Sequence, residues 1–135
     1  MNPKLILSFC LIGISLFSLA YDIPEDTLKK EMVYDMPDRM PQYPGGADAM
    51  DVFIQANITY PPEAKSQMIK GKVYVQFIVE KDGSISDIQV RRGAHPTLDG
   101  EAMRVVSLMP NWTPGSMRGK KVRVRYTLPI TFSLT

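Results

Sequence analysis

Residues 122–134, at the end of the chain, alternate apolar and polar side chains without a break. Valine, tyrosine, leucine, isoleucine and phenylalanine occupy the even positions, and arginine, threonine, proline and serine occupy the odd positions. A period of two predicts a β-strand with one face in a core and the other in water. Because no segment follows this strand, we expect its outer edge to be open, and an open edge can pair with another chain.

The first 40 residues have the composition of an export signal followed by a spacer. Lys4 precedes an almost purely apolar run at residues 5–19, and Ser18-Leu19-Ala20 has the small-x-small pattern of a cleavage site. A spanning helix needs about 20 apolar residues, so residues 1–20 are predicted to be a signal peptide, with a short membrane anchor as the alternative. Residues 21–40 are rich in acids, proline and methionine and lack apolar periodicity. They predict a flexible tether before a folded domain at residues 41–135.

Cysteine content and charge limit the possible partners. Cys10 is the only cysteine, so a chain cleaved after residue 20 has no disulfide and no thiolate metal ligand. Export without disulfides is typical of a bacterial envelope protein. Acids dominate residues 22–51, whereas only basic charges follow Glu101. This basic segment is either a solvated face or a patch for an acidic partner, and the net charge of +2 argues against nucleic acid.

Apolar spacing predicts the elements of the folded domain. Periodic stretches at residues 47–58, 63–68 and 97–109 predict helices, and apolar runs at 73–80 and 85–92 predict two further strands. Asp82-Gly83 between those strands suits a tight hairpin turn. The alternation is broken at Ile85, which indicates a bulge or a frayed start. Thr97 is expected to cap the last helix, and a left-handed cap is expected near Lys70-Gly71.

Chain direction and handedness predict the topology. The hairpin makes the first two strands antiparallel, and the helix at residues 97–109 returns the chain so that the third strand runs parallel to the second. A right-handed crossover of this kind skips one position, which gives the order second, first, third. Pro129 agrees with an edge position for the last strand. The predicted fold is therefore α+β, a three-stranded antiparallel sheet (order 2-1-3) with helices packed on one face.

No residue pattern indicates catalysis or a cofactor. His95, the single histidine, is interpreted as a loop residue before a helix, and Asp99 and Glu101 as capping charges rather than an acid–base pair. Ser107 lacks a nucleophile elbow. The methionines could supply soft ligands to copper, but their spacing is irregular and several fit a core. We therefore expect a non-enzymatic protein without catalytic residues, cofactor or metal.

Motifs spread over residues 41–134 resemble the TonB C-terminal domain, in the version common in Bacteroidetes. They are Met40-Pro41-Gln42-Tyr43-Pro44-Gly45-Gly46, Tyr60-Pro61, Ala64, Gly71-Lys72-Val73, Phe77-Ile78-Val79, Asp82-Gly83, Leu98-Asp99, Ala102, Trp112-Thr113-Pro114-Gly115 and Pro129-Ile130-Thr131-Phe132. The resemblance implies an energy transducer that binds the TonB box, an extended segment of an outer-membrane transporter, as a strand added beside its last strand. Force from an inner-membrane, proton-driven motor would then loosen the plug of the transporter.

The resemblance also implies which residues meet the partner. The docking residues would be Val122, Arg123, Val124, Arg125, Tyr126, Thr127 and Leu128, because Pro129 lacks an N–H, and Tyr60 and Pro61 would lie near the transporter contact. The implied location is the periplasm, with residues 5–20 as the alternative inner-membrane anchor. Since this chain lacks the long Pro-rich spacer of full transducers, a standalone periplasmic binding module without force transduction is the alternative. An edge strand can also pair with its own copy, which makes a homodimer a further alternative.

Overall fold

The computed structural model describes residues 32–134. The predicted signal peptide or anchor, and the tether up to residue 31, lie outside the described residues. From Val33 onward the chain forms one compact unit. No helix within residues 32–134 is long and apolar enough to cross a membrane.

The helices and the long strands occur where the apolar periodicity predicts them, with ends shifted by a few residues. The described part of the chain contains the helices α1 (Gly46–Asn57), α2 (Pro62–Ser66) and α3 (Pro96–Ser107). Its strands are β1 (Val33–Tyr34), β2 (Gly71–Val79), β3 (Ile85–Arg92), β4 (Gly115–Met117) and β5 (Lys120–Phe132). The predicted α+β class is confirmed.

The three long strands have the predicted relative order. β2 lies between β3 and β5 and is antiparallel to both. The prediction of only three strands is wrong, because the described sheet has the order β1-β5-β2-β3, with β4 also paired to β5. β1 arises in the predicted tether, and β4 arises between the predicted last helix and the predicted last strand. With two and three residues, both are too short to show an apolar period.

The register between β2 and β5 determines where the core lies. It runs without a shift from Gly71 opposite Phe132 to Val79 opposite Val124. The even-numbered residues of β5 therefore share the face of β2 that carries Val75 and Phe77, and most of them are buried. This confirms the alternation read from the sequence. The buried side chains of α3 that cover this face are Leu98, Ala102, Val105 and Val106.

β3 is less regular than β5. The register between β2 and β3 shifts twice, once between Tyr74 and Val75 and once between Gln76 and Ile78. Asp87 has a positive φ of 50°, which marks the extra residue of one bulge. This confirms the irregularity expected near Ile85 as a bulge rather than a frayed start. Bulges bend and twist a strand, so the outer edge of β3 is a poor template for pairing.

Two predicted caps are wrong. The N-cap of α3 is His95, whose Nδ1 accepts a hydrogen bond from the backbone N–H of Thr97 at 3.3 Å, and Thr97 lies inside the helix. The left-handed residue after α2 is Met68, with φ 55°, two residues before the predicted position near Lys70-Gly71. Both differences arise because the helices begin and end about one to two residues earlier than apolar spacing alone indicates.

Candidate strand-docking edge

The outer side of β5 is open over only part of the predicted docking stretch. β1 lies parallel to β5, with Val33 opposite Arg123 and Tyr34 opposite Val124. Val122, the residue before Arg123, pairs with Gly115 of β4, which stands off the path β1-β5-β2-β3. From Arg125 to Phe132, no strand within residues 32–134 pairs with the outer side. An upstream segment thus covers the start of an edge that was expected to be open along its whole length.

The backbone groups that face this open edge follow from the ladder. Neighbouring pairs in an antiparallel ladder alternate between hydrogen-bonded and non-hydrogen-bonded geometry. Pro129 stands opposite Tyr74, and a proline in a sheet is accommodated with its nitrogen toward the free edge. Thr127 and Thr131 lie two residues to either side of Pro129. Their backbone N–H and C=O groups therefore point outward and are available to an added strand.

Few side chains of the predicted docking residues are available to a partner. Val122, Val124 and Leu128 are buried in the core. Tyr126 is half-buried, and its ring centroid lies 5.0 Å from that of Trp112 and 5.7 Å from that of Phe77. These aromatic contacts hold β5 against the core on its buried face. What this edge offers a partner is therefore mainly backbone, together with arginine and threonine side chains.

Arg123 is held by an acid on the neighbouring strand end. Its Nε donates to Oε2 of Glu80 at 2.7 Å and its Nη2 donates to Oε1 at 3.1 Å, so the contact is bidentate. Glu80 also accepts a hydrogen bond from the hydroxyl of Ser86 at 2.6 Å. The hydrogen bond from Arg123 is the main reason that the pKa of Glu80 lies below its ordinary value of 4.5. This ion pair joins the start of β5 to the end of β2.

We expect Glu80→Gln to reduce stability at neutral pH and to flatten its dependence on pH in acid. A carboxyl group whose folded pKa is lowered stabilises the fold above its unfolded pKa, and this contribution is lost as the pH falls through the folded pKa. Urea unfolding at neutral pH and well below pH 4.5 measures the effect. The matched control is Glu63→Gln, at an exposed carboxylate on α2. A Glu80→Gln profile parallel to that of the unsubstituted protein would contradict the prediction.

Arg125 lines a polar groove that runs across the sheet from β5 over β2 to β3. Its Nη1 lies 2.8 Å from Oδ1 of Asp35, in an ion pair that is largely exposed to solvent. The groove has a volume of about 850 Å³ and is lined mainly by polar and charged side chains. Besides Asp35 and Arg125, those polar and charged side chains include Gln76, Asp87, Gln89, Arg91 and Thr127. Of these residues, Arg125 and Thr127 lie on β5 itself, next to the open edge.

Tyr60 and Pro61 lie elsewhere. The ring of Tyr60 packs edge-on against Phe132 with 5.8 Å between centroids, and its hydroxyl donates to the carbonyl of Ile69. Pro61 lines a separate recess with Thr97. Phe132 is about 13 Å along the strand from Leu128. The structure therefore places Tyr60 and Pro61 near the far end of β5 and does not bring them beside residues 122–128.

Sequence reasoning missed the two acids that engage the arginines of β5. Asp35 comes from the predicted tether and Glu80 from the end of β2, and neither position carries a motif. A contact between residues so far apart in sequence has no local signal. Among residues 32–134, no group of three or more His, Cys, Asp or Glu side chains is arranged to hold a metal ion.

Known proteins were compared with the chain by sequence and by structure. No curated protein matches it significantly. The chain resembles an NMR solution structure of a Helicobacter pylori TonB-CTD, with 26% identity and a TM-score of 0.51, over 68% of this chain and 87% of that chain. A shorter NMR solution structure of the H. pylori TonB-CTD has 25% identity and a TM-score of 0.46, over 65% and 95%. The family model for the Gram-negative bacterial TonB protein C-terminal matches residues 56–134, more than half of the chain. The chain belongs to this TonB C-terminal family.

Proposed function

We propose that this protein binds an extended segment of an outer-membrane transporter by strand addition to the outer edge of β5. Family membership makes it a TonB-like, transport-related protein of the cell envelope. The observation that carries the finer proposal is the edge from Arg125 to Phe132, which no strand within residues 32–134 covers. In β-augmentation, backbone hydrogen bonds supply much of the affinity, so an edge with few free side chains is sufficient.

The regularity of β5 favours it over β3 as the docking strand. β3 lies at the opposite end of the described sheet, but two register shifts and the positive φ of Asp87 interrupt it. β5 keeps one register with β2 along nine consecutive pairs, from Gly71 opposite Phe132 to Val79 opposite Val124. An added strand needs donors and acceptors at a constant spacing, and only β5 supplies them.

The proposed setting is the periplasm, reached through the predicted signal in residues 1–20. In an energy-coupling role, the segment at residues 5–20 would stay in the inner membrane, next to a proton-driven motor. The second candidate function is a standalone binding module that docks by the same edge and transmits no force. The shortness of the apolar run and the small-x-small pattern before Tyr21 favour this candidate.

The proposal is tested by Thr127→Pro. The N–H of Thr127 faces the open edge, so proline removes a donor to an added strand and leaves the bonds to β2 in place. We expect the affinity for a strand-forming peptide to fall by about tenfold or more. The added strand loses one hydrogen bond, and the proline ring also obstructs its approach to the neighbouring backbone group. The probe is a fluorescein-labelled, uncharged peptide of alternating threonine and valine, used at low concentration in fluorescence polarisation.

The matched control is Thr127→Val, which alters the same side chain but keeps the backbone N–H. Its loss of affinity should be much smaller than that of Thr127→Pro, because the backbone donor is kept. Circular dichroism confirms that both variants are folded before binding is compared. Equal losses of affinity in the two variants would show side-chain recognition and would refute strand addition, as would unchanged binding by Thr127→Pro.

A further inference from the structure

The chain occupies the start of its own docking edge. β1 lies beside β5 at Arg123 and Val124, on the side opposite β2. These are two of the residues at which an added strand was expected to pair. A partner strand that extends from the open part of the edge toward the start of β5 would meet β1 in the same place.

The contact that holds β1 is small. Within residues 32–134, it consists of two paired, half-buried residues and the ion pair between Asp35 and Arg125, whose side chains are 68% and 40% exposed. Exposed ion pairs of this kind contribute little to stability. Among residues 32–134, neither Val33 nor Tyr34 is part of the hydrophobic core cluster.

Residues 38–42, which follow β1, are held more firmly than β1 itself. Asp38 accepts a hydrogen bond from the backbone N–H of Arg118 at 2.8 Å. Arg39 and Ser116 exchange two backbone hydrogen bonds of 3.0 Å each, and Gln42 pairs with Thr113 in the same way. Met36, between the weak and the firm contacts, is 87% exposed. Residues 33–35 can therefore leave β5 while residues 38–42 stay attached.

We propose that β1 is a displaceable occupant of the docking edge, which competes with the partner strand and lowers its apparent affinity. This inference rests on the proposed function, because it concerns the same edge. When only the open form binds, the apparent dissociation constant rises as the fraction of open molecules falls. If β1 covers the edge in nine of ten molecules, binding is about tenfold weaker than at a free edge. The ion pair of Asp35 stabilises the form in which β1 covers the edge at low ionic strength, and salt screens this ion pair.

Two substitutions in the full chain test the competition. Tyr34→Pro removes a backbone donor from β1, and Asp35→Asn removes the ion pair with Arg125. We expect Tyr34→Pro to bind the alternating threonine–valine peptide about tenfold more tightly. Asp35→Asn should bind it a few-fold more tightly at low ionic strength, and the difference should disappear at high ionic strength. The matched control is Asp51→Asn, which makes the same charge change at an exposed position of α1.

The outcomes separate this inference from the proposed function. Tighter binding by Tyr34→Pro, with Asp51→Asn unchanged, supports the competition. Unchanged or weaker binding by Tyr34→Pro overturns it and leaves strand addition intact, since β1 would then be neutral or part of the binding surface. If the unsubstituted protein and all variants fail to bind, the proposed function fails and the competition fails with it.

Discussion

Replacing Gly83 by alanine is expected to lower the free energy of unfolding by about 3 kcal/mol or more. Gly83 has a φ of 88°, and a Cβ atom there would lie 2.0 Å from the carbonyl oxygen of Trp112. The backbone N–H of Trp112 also donates to the carbonyl of Gly83 at 2.8 Å. The hairpin turn and the segment before β4 thus touch through their backbones. An added methyl group must displace the backbone of Trp112, whose side chain is buried in the core.

Gly119→Ala is the matched control for this prediction. Gly119 also has a positive φ, of 77°, but a Cβ atom there would meet nothing within 4 Å. Its replacement should cost only the strain of a left-handed alanine, about 1 kcal/mol. Urea unfolding followed by the fluorescence of Trp112, the single tryptophan, measures both variants. Equal losses would mean that strain at the turn, and not contact with Trp112, explains the effect.

Phe77→Ala should cost about 3 to 5 kcal/mol, because it leaves a large cavity in the core. The side chain of Phe77 is fully buried, and its ring contacts those of Trp112 and Tyr126 at 5.4 and 5.7 Å between centroids. Tyr126 lies on β5, so the cavity opens directly beneath the candidate docking edge. We expect weaker peptide binding as well as lower stability.

Two control substitutions make the Phe77 measurement specific. Phe77→Leu retains most of the volume and should cost less than about 1.5 kcal/mol. Val52→Ala, at a side chain that is 69% exposed, should change stability by less than about 0.5 kcal/mol. Thermal and urea unfolding compare the three variants. A loss from Phe77→Ala no larger than that from Phe77→Leu would contradict the cavity explanation.

Long periodic segments explain why most of the fold was predictable. β5 alternates strictly along its length, and α3 places Leu98, Ala102, Val105 and Val106 on one face. Such patterns are visible because one side of the element must be buried. The order of the three long strands followed from hairpin direction and crossover handedness, which depend on local backbone geometry. The capping residues were not predictable from spacing, since His95 caps α3 through a side-chain contact.

The candidate site was predictable in part. Pro129 and the alternation of β5 indicated an edge strand, and the structure keeps the edge open from Arg125 onward within the described residues. The prediction failed to include β1, because two residues from a segment without periodicity carry no signal. It also failed to include Asp35 and Glu80, whose contacts with β5 join residues far apart in sequence. The placement of Tyr60 against Phe132 is likewise a tertiary contact.

The amino-acid sequence by itself determined the elements, the buried faces and the order of the long strands, because these depend on periodicity and chain direction. Only the tertiary structure decided which part of the β5 edge is free. That question depends on where an aperiodic upstream segment comes to rest, and on weak pairings such as that between Tyr34 and Val124. Such a contact depends on the long strands, because they provide the surface on which the segment pairs.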